Sequence, residues 1–356
     1  MPLTRLDTFL IGYSDSAFTN PHEVAQPDLP EDRAGRFTHM GAQYWGFETR
    51  RHIGTQIQIA EHSFRFDPEA HHHFTLGLHS RSEVSKIDVD TTWFTGNQVP
   101  EISIFLEDGA QSTEVVPRTS LAPNQQHSFA ITPTFASRCL VLCHQEGGIA
   151  RVQLFGQAQS RPRERNLLEE ATISFVSNAH YGHPKDAVLG RRIESHMKGW
   201  ESARTGFGEQ AVFTFKAAVR LQRFVVDTYL HRLNAPLSCH LFGLVESEDL
   251  DHGMAVKPRW AVRFDDNSLE MPEDFQDYMN HQRYRTNGKA SQPMTISLHN
   301  PAPETWVPLL PFAPLRPDHY HEFEQFDNSP PVKHLLFMYY PNGGIHGLKA
   351  YGVYQT

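Results

Sequence analysis

The sequence predicts an all-β protein built from two tandem jelly-roll-like β-sandwich domains. Its apolar stretches are short and rich in β-branched and aromatic residues, as at 102–106, 213–215 and 334–340. Amphipathic helical patterns are scarce. The 24 prolines and 23 glycines separate these stretches, which is typical of a β-sandwich with long connections. Four segments recur in the same order in both halves, which indicates that the sandwich occurs twice.

The length and one break in composition predict where the domains meet. The 356 residues exceed one ordinary core and suit two domains of roughly 150 to 180 residues. Residues 159–166 are polar and charged, contain a proline and lack apolar residues, so we place the boundary between residues 157 and 168. The first domain then covers residues 1–158 and the second residues 168–356. The second is longer because of a polar stretch around 249–303, which we interpret as an insertion at the sandwich edge.

The repeated segments share particular residue types. The second pair of segments, 46–51 and 199–204, carries a glycine, an aromatic residue, a glutamate, a hydroxyl residue and an arginine in the same order. In both segments of the third pair, 90–97 and 227–234, an asparagine follows an aspartate by seven residues. The fourth pair is typical of a glycine turn before a closing strand with alternating apolar residues. The matched segments are 14–23 with 177–186, 46–51 with 199–204, 90–97 with 227–234, and 147–156 with 343–352.

The composition excludes several classes of protein. The net charge of -9, from 41 acidic and 32 basic residues without a run of like charge, lacks the basic surface of a nucleic-acid-binding protein. No apolar run has the length of a membrane span, and the first residues do not form a signal-peptide core. We therefore expect a cytoplasmic, soluble protein whose partner is a small molecule, and a homo-oligomer stays open. We interpret Cys139, Cys143 and Cys239 as reduced core residues.

The repeated segments resemble the allantoicase family. The likeness is carried by the paired Gly-aromatic-Glu segments, by the Asp-Thr strand that leads to residues 94–97, and by the glycine pair before each closing strand. It runs from about Leu10 to Gly352 and includes residues 306–310 and 315–324. That family has two homologous jelly-roll domains of the galactose-binding-like type and hydrolyses allantoate to ureidoglycolate and urea. The resemblance implies this fold and an amidine hydrolase of purine breakdown that uses no cofactor.

Two departures from the family pattern concern activity more than fold. Where the family carries Gly-His-Asp-Trp, residues 69–74 of this chain read Glu-Ala-His-His-His-Phe, and the second half lacks the motif. The family's Lys-Gly-Asn is replaced by Arg-Leu-Asn at 232–234. Because a glycine before the asparagine permits close approach of a ligand, we expect Leu233 to obstruct the second copy. A single working site would then lie in the first copy, with His180 and His183 reaching it across the domain interface.

The resemblance implies a substrate with one carboxylate and two ureido groups. Arginines bind the carboxylate, whereas carboxylates and amides accept the ureido N–H bonds. Departure of urea needs a proton, which a histidine or a carboxylic acid with a tuned pKa can supply. The substrate-binding candidates are Arg50, Arg51, Asp90, Asn97, Arg204, Asp227 and Asn234. The catalytic candidates are Glu48, His52, His180, His183 and Glu201.

Each motif also has a structural interpretation. A glutamate two or three residues before an arginine often forms an ion pair that holds a loop. The Asp-Thr pairs at 90–91 and 227–228 lie at predicted strand ends, where such residues tie turns, and we favour that role. We interpret the glycine pairs at 147–148 and 343–344 as turns, since no helix follows to form a phosphate cradle. We expect Arg151 to be solvated.

Two histidine clusters are compatible with a metal site. Two histidines of the run 71–73 share a face of a predicted strand, but the nearest following glutamate is Glu83. His319 and His321 with Glu324 resemble a ligand set more closely, yet the family resemblance places an ordinary strand entry there. We therefore expect no catalytic metal.

Three functions remain open from the sequence. The repeat order favours hydrolysis of allantoate. The lost family motifs and the 24 phenylalanines, which can line an apolar pocket, favour an enzyme with the same fold and other small-molecule chemistry, such as a cyclisation, cycloaddition or isomerisation. A non-catalytic ligand-binding module is the third function, since jelly rolls bind sugars through exposed aromatic residues.

Overall fold

The computed structural model consists of two compact units, Met1–Arg163 and Glu164–Thr356. Among the described residues no helix has the length and apolar character needed to cross a membrane. The structure describes residues 3–16, 18–68, 72–159, 164–189, 192, 199–203, 208–245, 259–264, 294–299, 306–326, 328–340 and 342–355.

The first unit consists of strands joined by loops, with a short 3-10 helix at Pro21–Ala25. Its strands are β1 (Thr4–Arg5), β2 (Thr8–Tyr13), β3 (Phe37–Thr38), β4 (Gly41–Ala42), β5 (Phe47–Glu48), β6 (Gly54–Ala60), β7 (Ser63–Pro68), β8 (His72–Asp90), β9 (Glu101–Asp108), β10 (Gln111–Ser120), β11 (Gln126–Cys143), β12 (Gly148–Ile149) and β13 (Arg151–Ala158).

The second unit repeats this plan, with short helices at Leu167–Glu169 (3-10) and Pro184–Ala187 (α1). Its strands are β14 (Thr172–Val176), β15 (Trp200–Glu201), β16 (Glu209–Asp227), β17 (Ser238–Leu244), β18 (Arg259–Phe264), β19 (Met294–His299), β20 (Trp306–Pro314), β21 (Tyr320–Phe323), β22 (Val332–Tyr340), β23 (Gly344–Ile345) and β24 (Gly347–Tyr354). The prediction of an all-β fold is confirmed.

A long central strand organises each sheet. In the first unit the order is β1-β13-β8-β11-β9-β10, and β2 also pairs with β8. In the second unit the order is β14-β16-β22-β17-β20, and β21 and β24 also pair with β16. The central strands β8 and β16 both have 19 residues. Each ends at the aspartate of the third matched segment, so the repeat in the sequence corresponds to a repeat in topology.

Alternating apolar residues build the core of the first unit. In β9 the side chains of Ile102, Ile104 and Leu106 are buried, because every second residue of a strand points to the same face. Cys139 and Cys143 lie on the corresponding face of β11, and all three cysteines of the chain are buried and free. Burial raises the pKa of the Cys139 thiol to about 12. The prediction of reduced core cysteines is confirmed.

The stretch around 249–303 lies mostly outside the described residues. Its described parts are β18 and β19, which pair with each other antiparallel from Arg259 opposite His299 to Phe264 opposite Met294. They form a separate two-stranded sheet.

Candidate functional site

A buried carboxyl group lies where the second and fourth matched segments of the first unit meet. Strand β5 pairs with β12, so that Glu48 is opposite Gly148. Glu48 is only 4% exposed. The amide Nδ2 of Asn97 donates a hydrogen bond of 3.0 Å to its Oε1. The other oxygen, Oε2, is buried and has no hydrogen-bond partner among the described residues.

The glycine pair holds Glu48 in this position. The Gly147 N–H donates to the Thr49 hydroxyl at 3.0 Å, and the Thr49 N–H donates to the Gly147 carbonyl at 3.1 Å. A Cβ on Gly148 would lie 2.0 Å from the ring of Phe94, so only glycine permits this approach. Gly147, with a φ of +149°, follows a bend at residues 144–146 and leads into strand β12, in which Gly148 lies. The glycine pair thus connects a loop to a strand and supports the candidate site.

Burial changes the acidity of Glu48. It raises the pKa of this carboxyl group to about 7, against the opposing effects of the Asn97 hydrogen bond and the nearby positive charge of Arg51. A carboxyl group with this pKa exchanges a proton near neutral pH, as a general acid or base must. Of the predicted site residues in the first unit, Glu48, Asn97 and Arg51 are therefore brought together.

The stability of the protein should report this pKa without any substrate. Because the folded pKa lies above the ordinary value of 4.5, the protonated form stabilises the fold, and this contribution is lost as pH rises through about 7. Glu48→Gln cannot ionise. Its free energy of unfolding, relative to that of the native sequence, should rise by about 2 kcal/mol between pH 5 and pH 8. Denaturant unfolding at the two pH values measures this difference, and a constant difference would contradict the raised pKa.

Two further candidates of the first unit lie at the surface. The Arg50 Nε donates to Asp15 Oδ1 at 2.8 Å, and the Arg50 side chain is 64% exposed. Of the two ion pairs that the motif allows, the one between Glu48 and Arg50 is not formed, since Arg50 pairs with Asp15. His52 is exposed, and its backbone N–H donates to Glu146 Oε2 at 2.7 Å.

The second unit builds the same carboxylate anchor. Glu201 is opposite Gly344 in the pairing of β15 with β23. The Asn234 Nδ2 donates to Glu201 Oε1 at 2.9 Å. The Gly343 N–H donates to the Ser202 hydroxyl at 3.2 Å, as Gly147 does to Thr49 in the first unit.

Leu233 leaves the hydrogen bond between Asn234 and Glu201 intact, and the residue is 98% exposed. The expectation that Leu233 hinders the approach of a ligand to the second copy stays a prediction. Arg204, the remaining candidate of this segment, lies outside the described residues.

The histidines predicted for proton transfer have local partners in the second unit. His183 is the N-cap of α1, where its Nδ1 accepts from the Lys185 N–H at 3.1 Å. Asn20 caps the first unit's 3-10 helix in the same way, through the His22 N–H. His180 packs edge-on against Tyr181. His183 corresponds to Asn20 in the first pair of matched segments. Since both residues cap a short helix, the cap gives His183 a structural role.

Asp90 and Asp227 tie turns, and each forms an ion pair with an arginine. Asp90 Oδ1 accepts from the Thr92 N–H at 2.9 Å, and Asp227 Oδ1 accepts from the Tyr229 N–H at 3.2 Å. The favoured structural role of the Asp-Thr pairs is confirmed. Arg151 lies opposite Asp90 in the pairing of β13 with β8, so both side chains share one face of the sheet.

The expectation of a solvated Arg151 is wrong. Its side chain is 7% exposed, and Nη2 lies 3.3 Å from Asp90 Oδ2. Its Nη1 donates to the carbonyl of Asp28 at 2.7 Å. In the second unit Gly347 stands opposite Asp227, and the cation comes from Arg192, whose Nε donates to Asp227 Oδ2 at 2.9 Å.

The histidine clusters have structural contacts. The His321 Nε2 accepts from the Arg316 N–H at 2.8 Å, and its Nδ1 lies 3.1 Å from the Val226 carbonyl oxygen. His71 is outside the described residues. Within the described ranges, no group of three His, Cys, Asp or Glu side chains lies close enough to hold a metal ion.

Sequence reasoning missed Asp15, the partner of Arg50. A comparison of the two copies could have identified Asp15 as the partner of Arg50. Asp15 corresponds to Asn178 and Arg50 to Ala203, so both charges of the pair are lost together. The geometry is retained, because the Ala203 N–H still donates to Asn178 Oδ1 at 3.1 Å, as the Arg50 N–H does to Asp15 Oδ2.

Comparison with known proteins finds one repeat twice in this chain. A family model described as "Allantoicase repeat" matches residues 3–159 and 166–355. A "Probable allantoicase" of Schizosaccharomyces pombe is 25% identical, over 96% of this chain and 89% of its own length. A "Probable allantoicase" of Rhizobium meliloti is 27% identical, with the same coverage of 96% and 89%. A crystal structure of allantoicase from Saccharomyces cerevisiae is 20% identical and covers 97% of this chain and 90% of its own, with a TM-score of 0.35.

Proposed function

Because this chain belongs to the allantoicase family, we propose that it hydrolyses allantoate to ureidoglycolate and urea, with Glu48 as the proton-transfer residue. The observation that carries this proposal is the buried carboxyl of Glu48. One of its oxygens is fixed by Asn97, the other is unpartnered among the described residues, and its pKa is raised to about 7.

The proposed reaction requires Glu48 to give a proton to the leaving group and to take one up afterwards. Hydrolysis breaks one bond between the central carbon of allantoate and a ureido nitrogen, and it adds the hydroxyl of water to that carbon. The departing nitrogen takes a proton to become urea. A protonated Glu48 supplies this proton through Oε2, and the resulting carboxylate is restored by the proton that the attacking water releases. The Asn97 hydrogen bond keeps Oε1 fixed during both steps.

The two arginines that follow Glu48 in the sequence suit the substrate carboxylate. Arg51 follows Glu48 by three residues, and its positive charge acts to lower the pKa of the Glu48 carboxyl group. Arg50 is held by Asp15, which fixes the direction of its guanidinium group. A guanidinium group binds a carboxylate through charge-assisted hydrogen bonds, so these residues would orient allantoate with its central carbon toward Glu48.

Arg50→Ala should raise the KM for allantoate by about tenfold or more, because a charge-assisted hydrogen bond contributes about 1.5 to 3 kcal/mol. Steady-state assays of urea release measure this change. Arg65→Ala is the matched control: Arg65 has the same 64% exposure and also pairs with an aspartate, Asp67, but lies on β7. Equal effects of the two substitutions, or a loss of folding that equals the loss of activity, would assign Arg50 a structural role only.

A further inference from the structure

The first unit contains a β-hairpin for which the second unit has too few residues. Strands β6 and β7 pair antiparallel, beginning with Gly54 opposite Pro68, and form a two-stranded sheet of their own. They lie between β5 and β8. In the second unit only residues 202–208 separate the corresponding strands β15 and β16. The hairpin is therefore an addition to the plan that the two units share.

Both faces of this hairpin are open to solvent. Residues 55–60 of β6 are all exposed, as are those of β7 apart from Phe66. The large apolar side chains of Ile57, Ile59 and Phe64 are therefore in contact with water. A two-stranded hairpin by itself is only marginally stable in water, and apolar residues exposed together are typical of an interaction surface. Another strand added to this hairpin would stabilise it.

The two outer edges of the hairpin differ in their chemistry. Strand β6 reads Gly-Thr-Gln-Ile-Gln-Ile-Ala and carries neither a charged residue nor a proline. Strand β7 carries Arg65, Asp67 and Pro68, and charges and prolines at an edge oppose the addition of a further strand. Within the part of the chain that the structure describes, β6 pairs with β7 alone. The edge of β6 is therefore the one at which a strand can add.

The sequence of β6 is complementary to a second copy of itself. When two β6 strands pair antiparallel over their full length, Ile57, the middle residue, lies opposite Ile57 of the second copy, and Gln56 lies opposite Gln58. Apolar residues then meet apolar residues, amides meet amides, and no like charges face each other. Such an interface uses the same surface on both copies and has two-fold symmetry.

This symmetry also limits the size of the assembly. Pairing through β6 leaves the β7 strand of each copy at the two outer edges of a four-stranded sheet. These edges carry the charges of Arg65 and Asp67 and the proline at position 68, so a third copy has no suitable edge to join. The arrangement favours a closed dimer over a growing fibre.

We propose that the edge of β6 is a dimerisation surface, at which two copies of this chain pair their β6 strands antiparallel around Ile57. The partner that this surface fits is a second copy of the chain. Two short strands bury less area than a standard interface, so we expect a dissociation constant on the order of micromolar or weaker. The proposal concerns assembly and does not depend on the proposed hydrolysis.

Sedimentation of the full chain over a range of concentrations tests the dimer. The native sequence should show an equilibrium between monomer and dimer. Ile57→Lys should raise the dissociation constant about tenfold or more, because it places two like charges directly opposite each other. Phe64→Lys is the matched control. It makes the same kind of change at an exposed residue of the same hairpin, but on β7, and should change the constant less than about threefold.

Crosslinking tests the register. The three native cysteines are buried and free, so mild oxidation should act on an introduced surface cysteine alone. Residues directly opposite in antiparallel strands have Cα atoms about 4.5 to 5.5 Å apart, which suits a disulfide. Ile57→Cys should therefore form a disulfide-linked dimer. Arg65→Cys is the control, since Arg65 is exposed and lies opposite Ile57 on the other edge, and it should stay monomeric.

Three results would overturn the proposal. The first is a native chain that sediments as a monomer at every concentration up to about 300 µM. The second is a dimer or larger assembly that Ile57→Lys and Phe64→Lys affect equally, which would place the contact elsewhere. The third is equal crosslinking of Ile57→Cys and Arg65→Cys. Circular dichroism shows whether each variant is folded, and the crosslinking result decides the matter if Ile57→Lys is not.

Discussion

Glu48→Gln is expected to reduce turnover of allantoate about 100- to 10,000-fold, the usual contribution of a general acid or base. Glutamine has nearly the same shape, and its amide oxygen can still accept from Asn97, so the fold should be retained. It cannot supply or take up the proton that urea needs. The kcat and KM from urea release separate this loss from a loss of binding.

Glu201→Gln is the matched comparison for that prediction. Glu201 has the same place in its strand and the same asparagine partner, but the arginine that corresponds to Arg50 is Ala203. We expect this substitution to reduce turnover less than tenfold. The reverse pattern, in which Glu201→Gln is inactive and Glu48→Gln is active, would move the catalytic site to the second unit.

Arg151→Ala should lower the free energy of unfolding of the first unit by about 3 to 5 kcal/mol. The substitution leaves Asp90 buried without its cation, and the carbonyls of Pro27 and Asp28 lose a donor. Chemical denaturation measures the change. Arg118→Ala is the control, because Arg118 is 57% exposed and its pair with Glu101 should contribute less than about 1 kcal/mol. Equal losses from both substitutions would contradict a buried ion pair at Arg151.

Local patterns predicted the fold and the position of Glu48. Alternating apolar residues such as Ile102 and Ile104 identify strands, because a strand exposes and buries side chains with a period of two. The glycine pair at 147–148 marks the passage from a loop into a strand for an equally local reason. Since both copies carry these signals in one order, the sequence also indicated that Glu48 and Asn97 belong to one region.

Partners distant in the chain were harder to predict. Arg50 is paired with Asp15, 35 residues away, and Asp227 with Arg192, also 35 residues away. No periodicity links such positions. Arg151 appeared solvated in the sequence because nothing local shows that it lies opposite Asp90, which the sheet register decides.

The most direct test of the proposed function is the amount of urea that the purified protein releases from allantoate. Hydrolysis at Glu48 predicts one urea and one ureidoglycolate for each allantoate consumed, and a release by Glu48→Gln that is at least about 100-fold slower at the same protein concentration. Allantoate that stays intact, or that is converted without release of urea, would contradict the account and would favour other small-molecule chemistry on the same fold.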